Sequence, residues 1–222
     1  MLIVLAVMFT GYFLLGGLDY GVGIMARDRA EMNRVAPFFL GNEVWLVAAA
    51  GLLFGAYPWN EGELLGAYRV PVWFALGGAV LVVAAYGLRI FKPGGALDGV
   101  ARVGAVVAAL GWGAFLGAVW QGGEFRLTPL VMASSVGLLA LLCAHGWAFL
   151  RRRWLLLAAT SMTVVAAVLL AGSAVTWHAA DRESVAVIAP VVMVALPVLI
   201  AVQAVTWWLF RTRHPSEAKQ PV

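Results

Sequence analysis

Residues 2–34 read Leu2-Ile-Val-Leu-Ala-Val-Met-Phe-Thr-Gly-Tyr-Phe-Leu-Leu-Gly-Gly-Leu-Asp19-Tyr-Gly-Val-Gly-Ile-Met25, then Ala26-Arg27-Asp28-Arg29-Ala-Glu-Met-Asn-Arg34. A helix needs about 20 mostly apolar residues to cross a hydrocarbon core, and basic residues at one end hold that end in the cytoplasm. The same alternation runs to the end of the chain. Apolar stretches at 2–25, 38–57, 65–88, 102–120, 129–150, 154–177 and 187–210 are bounded by basic residues in a 3-1-3-1-3-1-3 pattern. The groups are Arg27, Arg29, Arg34; Arg69; Arg89, Lys92, Arg102; Arg126; Arg151, Arg152, Arg153; Arg182; and Arg211, Arg213, Lys219. Crossing a bilayer seven times gives a physical reason for such sorting. The expected fold is therefore all-α, a polytopic membrane helix bundle of about seven transmembrane helices, with the N-terminus outside and the C-terminus cytoplasmic.

Composition agrees: 63% of the 222 residues are hydrophobic and 12% charged, with a mean hydropathy of +0.92, far from globular usage. One transmembrane domain over 1–210 and a cytoplasmic tail over 211–222 are expected. The first residues carry no basic leader and read as the start of the first span. The net charge of +4 reflects anchoring arginines rather than nucleic-acid binding. A single cysteine, Cys143, excludes a disulfide framework. Helices in lipid associate through small residues. Gly11, Gly16, Gly17, Gly21 and Gly23 give the first span a bare face, and Gly51/Gly55 and Gly111, Gly113 and Gly117 suggest others.

Two acids break the rule that charge stays out of the spans: Asp19, in Gly16-Gly-Leu-Asp19-Tyr20-Gly, and Glu43, in Gly41-Asn42-Glu43-Val-Trp45. The spans are antiparallel, so both acids are expected at similar depth near the cytoplasmic side. Acids in a bilayer face protein or water because lipid exposure is costly, about 2.5–3.5 kcal/mol at the centre on insertion scales. Two readings stay open. Each carboxyl could serve packing, satisfied by backbone groups or by an inner arginine such as Arg27 or Arg89. Alternatively Asp19 and Glu43, with Asn42 and Tyr20, line a short hydrated path for protons, a use to which carboxyls at low dielectric are suited. His145 reads as a hydrogen-bonded packing residue. Three histidines at different depths cannot pair as axial haem ligands, and a span without lysine excludes a retinal Schiff base. No phosphate loop, Ser-His-Asp grouping or HExxH is present.

The stretch Gly16–Gly23, followed by Ala36-Pro37-Phe-Phe39-Leu40-Gly41-Asn42-Glu43-Val44-Trp45-Leu46 and Leu53-Phe54-Gly-Ala-Tyr57-Pro58, resembles subunit II of the cytochrome bd quinol oxidases. Arg89-Ile-Phe-Lys92-Pro and Val119-Trp-Gln121-Gly122 are also similar to that family, and the resemblance covers roughly residues 11–125. It implies a bacterial cell-membrane subunit that binds no haem itself. Haems b and d and the quinol-oxidising loop would belong to a partner, oxidase subunit I, and a small accessory subunit is a further candidate partner. Some members hold a structural quinone. The complex would pass electrons from quinol to oxygen, with cytoplasmic protons entering water. Carried over by position, Asp19 and Glu43 fall on acidic or amide positions of the family motifs, with Asn42 and Trp45 beside them; the expected proton path is Asp19, Asn42 and Glu43, with Trp45, Tyr20 and Arg89 in support. Two departures follow. Leu40 stands where the family has an acid and Phe39 where it has tryptophan, so a path would run through Glu43, Asp19 or water. The chain also reads as a short, divergent member, about two helices shorter than usual. A purely structural scaffold and a proton-coupled transporter remain the rival readings; the paired broken helices common in transporters are not seen in the sequence.

Overall fold

The computed structural model describes residues 1–89, 91 and 95–210, without the side chains of Leu40 and Phe210. The expectations for the Leu40 side chain, for Lys92-Pro93-Gly94 and for the tail 211–222 lie outside the described residues. Nine helices are described: α1 Leu2–Met25, α2 Arg29–Met32, α3 Phe39–Ala56, α4 Pro58–Ala67, α5 Arg69–Leu88, α6 Gly95–Gln121, α7 Pro129–Leu150, α8 Trp154–Ser173 and α9 Arg182–Phe210. Six of them (α1, α5, α6, α7, α8 and α9) are long and apolar enough to cross a membrane, and α3 is a shorter apolar helix. At 1.5 Å per residue the 18 residues of α3 reach about 27 Å, close to a hydrocarbon core of about 30 Å.

The boundaries depart most from the sequence reading at three places, and the sixth span ends at Ser173 rather than 177. The expected third span, 65–88, is divided: α4 forms in what reads as an outer connector, and Tyr68 separates it from α5. Pro71 has no N–H for the Ala67 carbonyl, which favours a break there, and the chain breaks at Tyr68. Helix α6 begins at Gly95 rather than 102, because Asp98 and Arg102 sit on an extra two turns beyond the span rather than in a loop. Helix α9 begins at Arg182 rather than 187. Asp181 caps it, accepting from the Ser184 N–H at 2.8 Å and from its hydroxyl at 2.7 Å. At the end of α6, Gly122 and Gly123 adopt φ of +75° and +73°, a turn that side chains with a Cβ resist.

Helix α1 is central, packed by α3, α6, α7 and α8; α5–α8 form a consecutive wall, and α3 carries α9. Small residues set these contacts. A Cβ on Gly21 would lie 2.9 Å from the Gly146 nitrogen of α7, and one on Gly78 of α5 would lie 2.6 Å from the Gly104 carbonyl of α6. Gly111 meets α5 at Ala75, while Gly113 and Gly117 meet Ser134 and Ser135 of α7. The Gly51/Gly55 face is only half used: Gly55 abuts Ile188 of α9, but nothing lies within 4 Å of Gly51.

The connectors richest in arginine meet at one end. Asp98 binds Arg29 at 2.8 Å and Arg89 at 3.1 Å, Arg151 binds Glu31 at 3.0 Å, and Arg102 and Arg34 donate to the Ala26 and Leu150 carbonyls. At the other end Asn60 of α4 donates to Thr176 O and accepts from the His178 N–H. This stitches the outer connectors together.

Candidate functional site

Between α1, α3, α6 and α9 lies a buried polar cluster, and it contains both intramembrane acids. Asp19 is 1% exposed. Its Oδ2 accepts from Asn42 Nδ2 at 2.8 Å, and the same nitrogen donates to the Leu15 carbonyl at 3.3 Å. The Leu15 carbonyl can only accept, so it fixes the orientation of the Asn42 amide. The amide oxygen then faces Gln203 of α9, whose Nε2 donates at 2.9 Å. Asp19 Oδ1 is buried without a hydrogen-bond partner.

Glu43 is half-buried one residue further along α3. The Tyr20 hydroxyl donates to Glu43 Oε1 at 3.4 Å. Tyr20 and Tyr12 hydroxyls are 2.7 Å apart, and Trp112 Nε1 of α6 donates to the Tyr12 hydroxyl at 3.0 Å. Gly16 makes this possible on α1: a Cβ there would lie 3.0 Å from the Tyr12 ring, which runs along the helix towards Tyr20.

The structure thus brings together Asp19, Asn42, Glu43 and Tyr20. Trp45 is buried beside them, its ring laid on Gly11 so that a Cβ would fall 2.9 Å from Cδ2, and its Nε1 has no hydrogen-bond partner. Arg89 does not join the cluster. It pairs with Asp98, donates to Asn33 Oδ1 at 2.9 Å and lies 4.8 Å above the Tyr86 ring. An inner-arginine counter-ion for the acids is therefore not what Arg89 provides; its charge is directed to Asp98. His145 is buried with Nδ1 2.8 Å from Thr160 Oγ1, a packing role as expected.

Three members of the cluster escape the sequence reading: Tyr12, Trp112 and Gln203. Signals existed. Gln203 is the sole amide inside its span, and polar residues there need partners. Trp112 lies at mid-span, away from the interfacial depth tryptophan favours, and its buried N–H needs an acceptor. Tyr12 lies two turns from Tyr20 on α1.

Outside the membrane-spanning segments, Glu31 of α2 accepts the Arg27 N–H at 2.9 Å and the Arg151 guanidinium at 3.0 Å. These hydrogen bonds, the Arg27 N–H foremost, hold its carboxyl below the usual range. Among the described residues no group of three His, Cys, Asp or Glu side chains is placed to hold a metal ion. Of the described histidines, His145 is tied to Thr160, and the His178 N–H donates to Asn60.

A helix bundle with charge-sorted ends and acids buried among its helices defines a multi-pass membrane protein. Residues 1–175 match the family described as cytochrome bd terminal oxidase subunit II, and the chain belongs to that family. It is 39% identical over 77 residues to the cytochrome bd ubiquinol oxidase subunit 2 of Bacillus subtilis (strain 168), covering 31% of this chain and 23% of that protein. It is 36% identical over 64 residues to the cytochrome bd-I ubiquinol oxidase subunit 2 of Escherichia coli (strain K12), covering 25% and 17%. A probable cytochrome oxidase subunit 2 of Haemophilus influenzae is 26% identical over 147 residues, covering 61% and 39%. In each case the chain spans well under half of the relative's length.

Proposed function

We propose that this chain acts as the haem-free subunit II of a bd-type quinol:oxygen oxidoreductase. In this reading it is inactive alone, supports a haem-bearing subunit I, and offers cytoplasmic protons a path along Asp19, Asn42 and Glu43. The observation that carries the reading is the convergence of two acids and their donors near the arginine-rich end, in a chain of this family. A carboxyl kept at low dielectric with hydrogen-bond donors around it can take up and release a proton where water cannot follow. Asn42 holds the Asp19 carboxyl in place; Tyr20 does the same for Glu43. Haems b and d, supplied by the partner, would carry the electron transfer and oxygen reduction. The opposite half of the bundle holds an apolar cavity of about 480 Å³, lined by residues such as Phe9, Phe13, Leu53, Phe115 and Trp177. Its size and lining suit the isoprenoid tail of a structural quinone.

Glu43→Gln tests the path. Oxygen consumption by the purified complex is expected to fall about a hundredfold, the lower range for loss of a proton-transfer group, with haem bands intact. Unchanged consumption removes the proton role. The scaffold reading draws on Asp19, whose bond to Asn42 ties α1 to α3; there, haem bands and activity would be lost together.

A further inference from the structure

The chain of hydrogen bonds ending on Glu43 has a direction. Tyr20 has one hydrogen, and with Glu43 ionised its acceptor is Glu43 Oε1, 3.4 Å away. The contact between the two tyrosine hydroxyls therefore uses the Tyr12 hydrogen, with Tyr20 accepting. Tyr12 in turn accepts from Trp112 Nε1. An indole N–H donates and never accepts. The sense is Trp112 to Tyr12 to Tyr20 to Glu43.

The opposite sense would need Glu43 to donate to Tyr20, Tyr20 to Tyr12, and Tyr12 to an acceptor. Trp112 offers none. The reversed chain would leave a hydroxyl hydrogen without an acceptor in a fully buried place, since Tyr12 is 0% and Trp112 4% exposed; buried polar groups are almost always paired. The indole is packed by aromatic rings on this side. Phe13 and Phe115 meet it edge-on, with ring centroids 5.3 and 5.8 Å away. Beyond Trp112 lies the apolar cavity of the outer half, whose wall the same ring forms.

We infer that Trp112 is a positioning residue that sets the polarity of this chain and closes it towards the outer half of the membrane. A proton carried by Glu43 cannot be handed on through Tyr20 and Tyr12, so it leaves by another face of the carboxyl, on the cytoplasmic side. This rests on the reading of Glu43 as a proton carrier, and adds the residue that keeps the proton from escaping outwards.

The test is infrared spectroscopy of the chain in its own membrane complex, with the protonated Glu43 carbonyl band assigned by its loss in Glu43→Gln. In the wild-type protein the band is expected at the frequency of a carboxyl that does not donate to Tyr20. Trp112→Gln supplies an acceptor for Tyr12 and is expected to shift the band down to that of a donating carboxyl. Trp112→Phe, which supplies none, leaves it unshifted. A wild-type band already at the donating frequency overturns the inference without any variant having to fold. So does a Trp112→Gln band identical to wild type in a complex that keeps its haem spectrum. Either failure leaves the Glu43→Gln turnover test untouched, so the two readings fall separately.

Discussion

At the scale of single residues, the connector between α1 and α3 is held by two carboxylates, Asp28 and Glu31. Asp28 caps α2 by accepting the Glu31 N–H at 2.8 Å, and Glu31 reaches back to the Arg27 N–H and across to Arg151. This is close to a capping box, built in the surface layer where charges belong. The Glu31 carboxyl is lowered in the folded state. The stability it adds is thus present above its unfolded pKa and is lost as pH falls through the folded value. Glu31→Gln is expected to cost about 1 kcal/mol near neutral pH, within the range of cap losses. The difference from wild type, read from unfolding curves at several pH values, should vanish in acid. A deficit that persists below the folded pKa would locate the effect elsewhere than in the charge.

At the scale of elements, two contacts differ in kind. The α1–α7 crossing is a backbone-to-backbone approach at Gly21 and Gly146, so overpacking should be severe. Gly21→Leu is expected to cost about 3 kcal/mol, the upper end for added volume in a packed core. Gly51, exposed with nothing within 4 Å, behaves oppositely: Gly51→Ala should stabilise α3 by roughly 0.5–1 kcal/mol through helix propensity. Denaturant titration of both variants compares them directly, and equal effects would show that the crossing is not where the structure has it. Helix α9 is the element that the rest of this chain covers least. Only 6% of its apolar window is buried, against 61% for α6, and it carries Pro190 and Pro197 inside the helix. Its polar tie to the cluster is Gln203. Gln203→Leu should cost about 1 kcal/mol, a typical net hydrogen bond. A double-mutant cycle with Asn42→Leu should give a coupling of at least about 0.5 kcal/mol; strict additivity would mean the two amides do not cooperate.

At the scale of the molecule, charge and burial divide the bundle into two ends. The arginine-rich connectors interlock on one side, and acidic α4 with the 174–181 segment forms the other. If the first end is cytoplasmic, an impermeant maleimide added to intact cells should label Glu63→Cys and spare Arg152→Cys until the membrane is opened, in a Cys143→Ser background. Both positions are exposed. The reverse pattern would invert the topology and move the proposed proton path to the outer side.

The sequence by itself determined that the chain is a membrane helix bundle, how its ends are sorted by charge, and that Asp19 and Glu43 are its two intramembrane acids, because hydropathy and charge act locally and are read residue by residue. The family signatures around Asn42 and Trp45 were legible for the same reason. Only the tertiary structure decided the partners of those acids. Gln203 stands 161 positions from Asn42, and Trp112 stands 100 from Tyr12. No local pattern encodes such distances. They are set by which small residues let the helices approach, and a hydrogen bond forms only after that packing has chosen the neighbours.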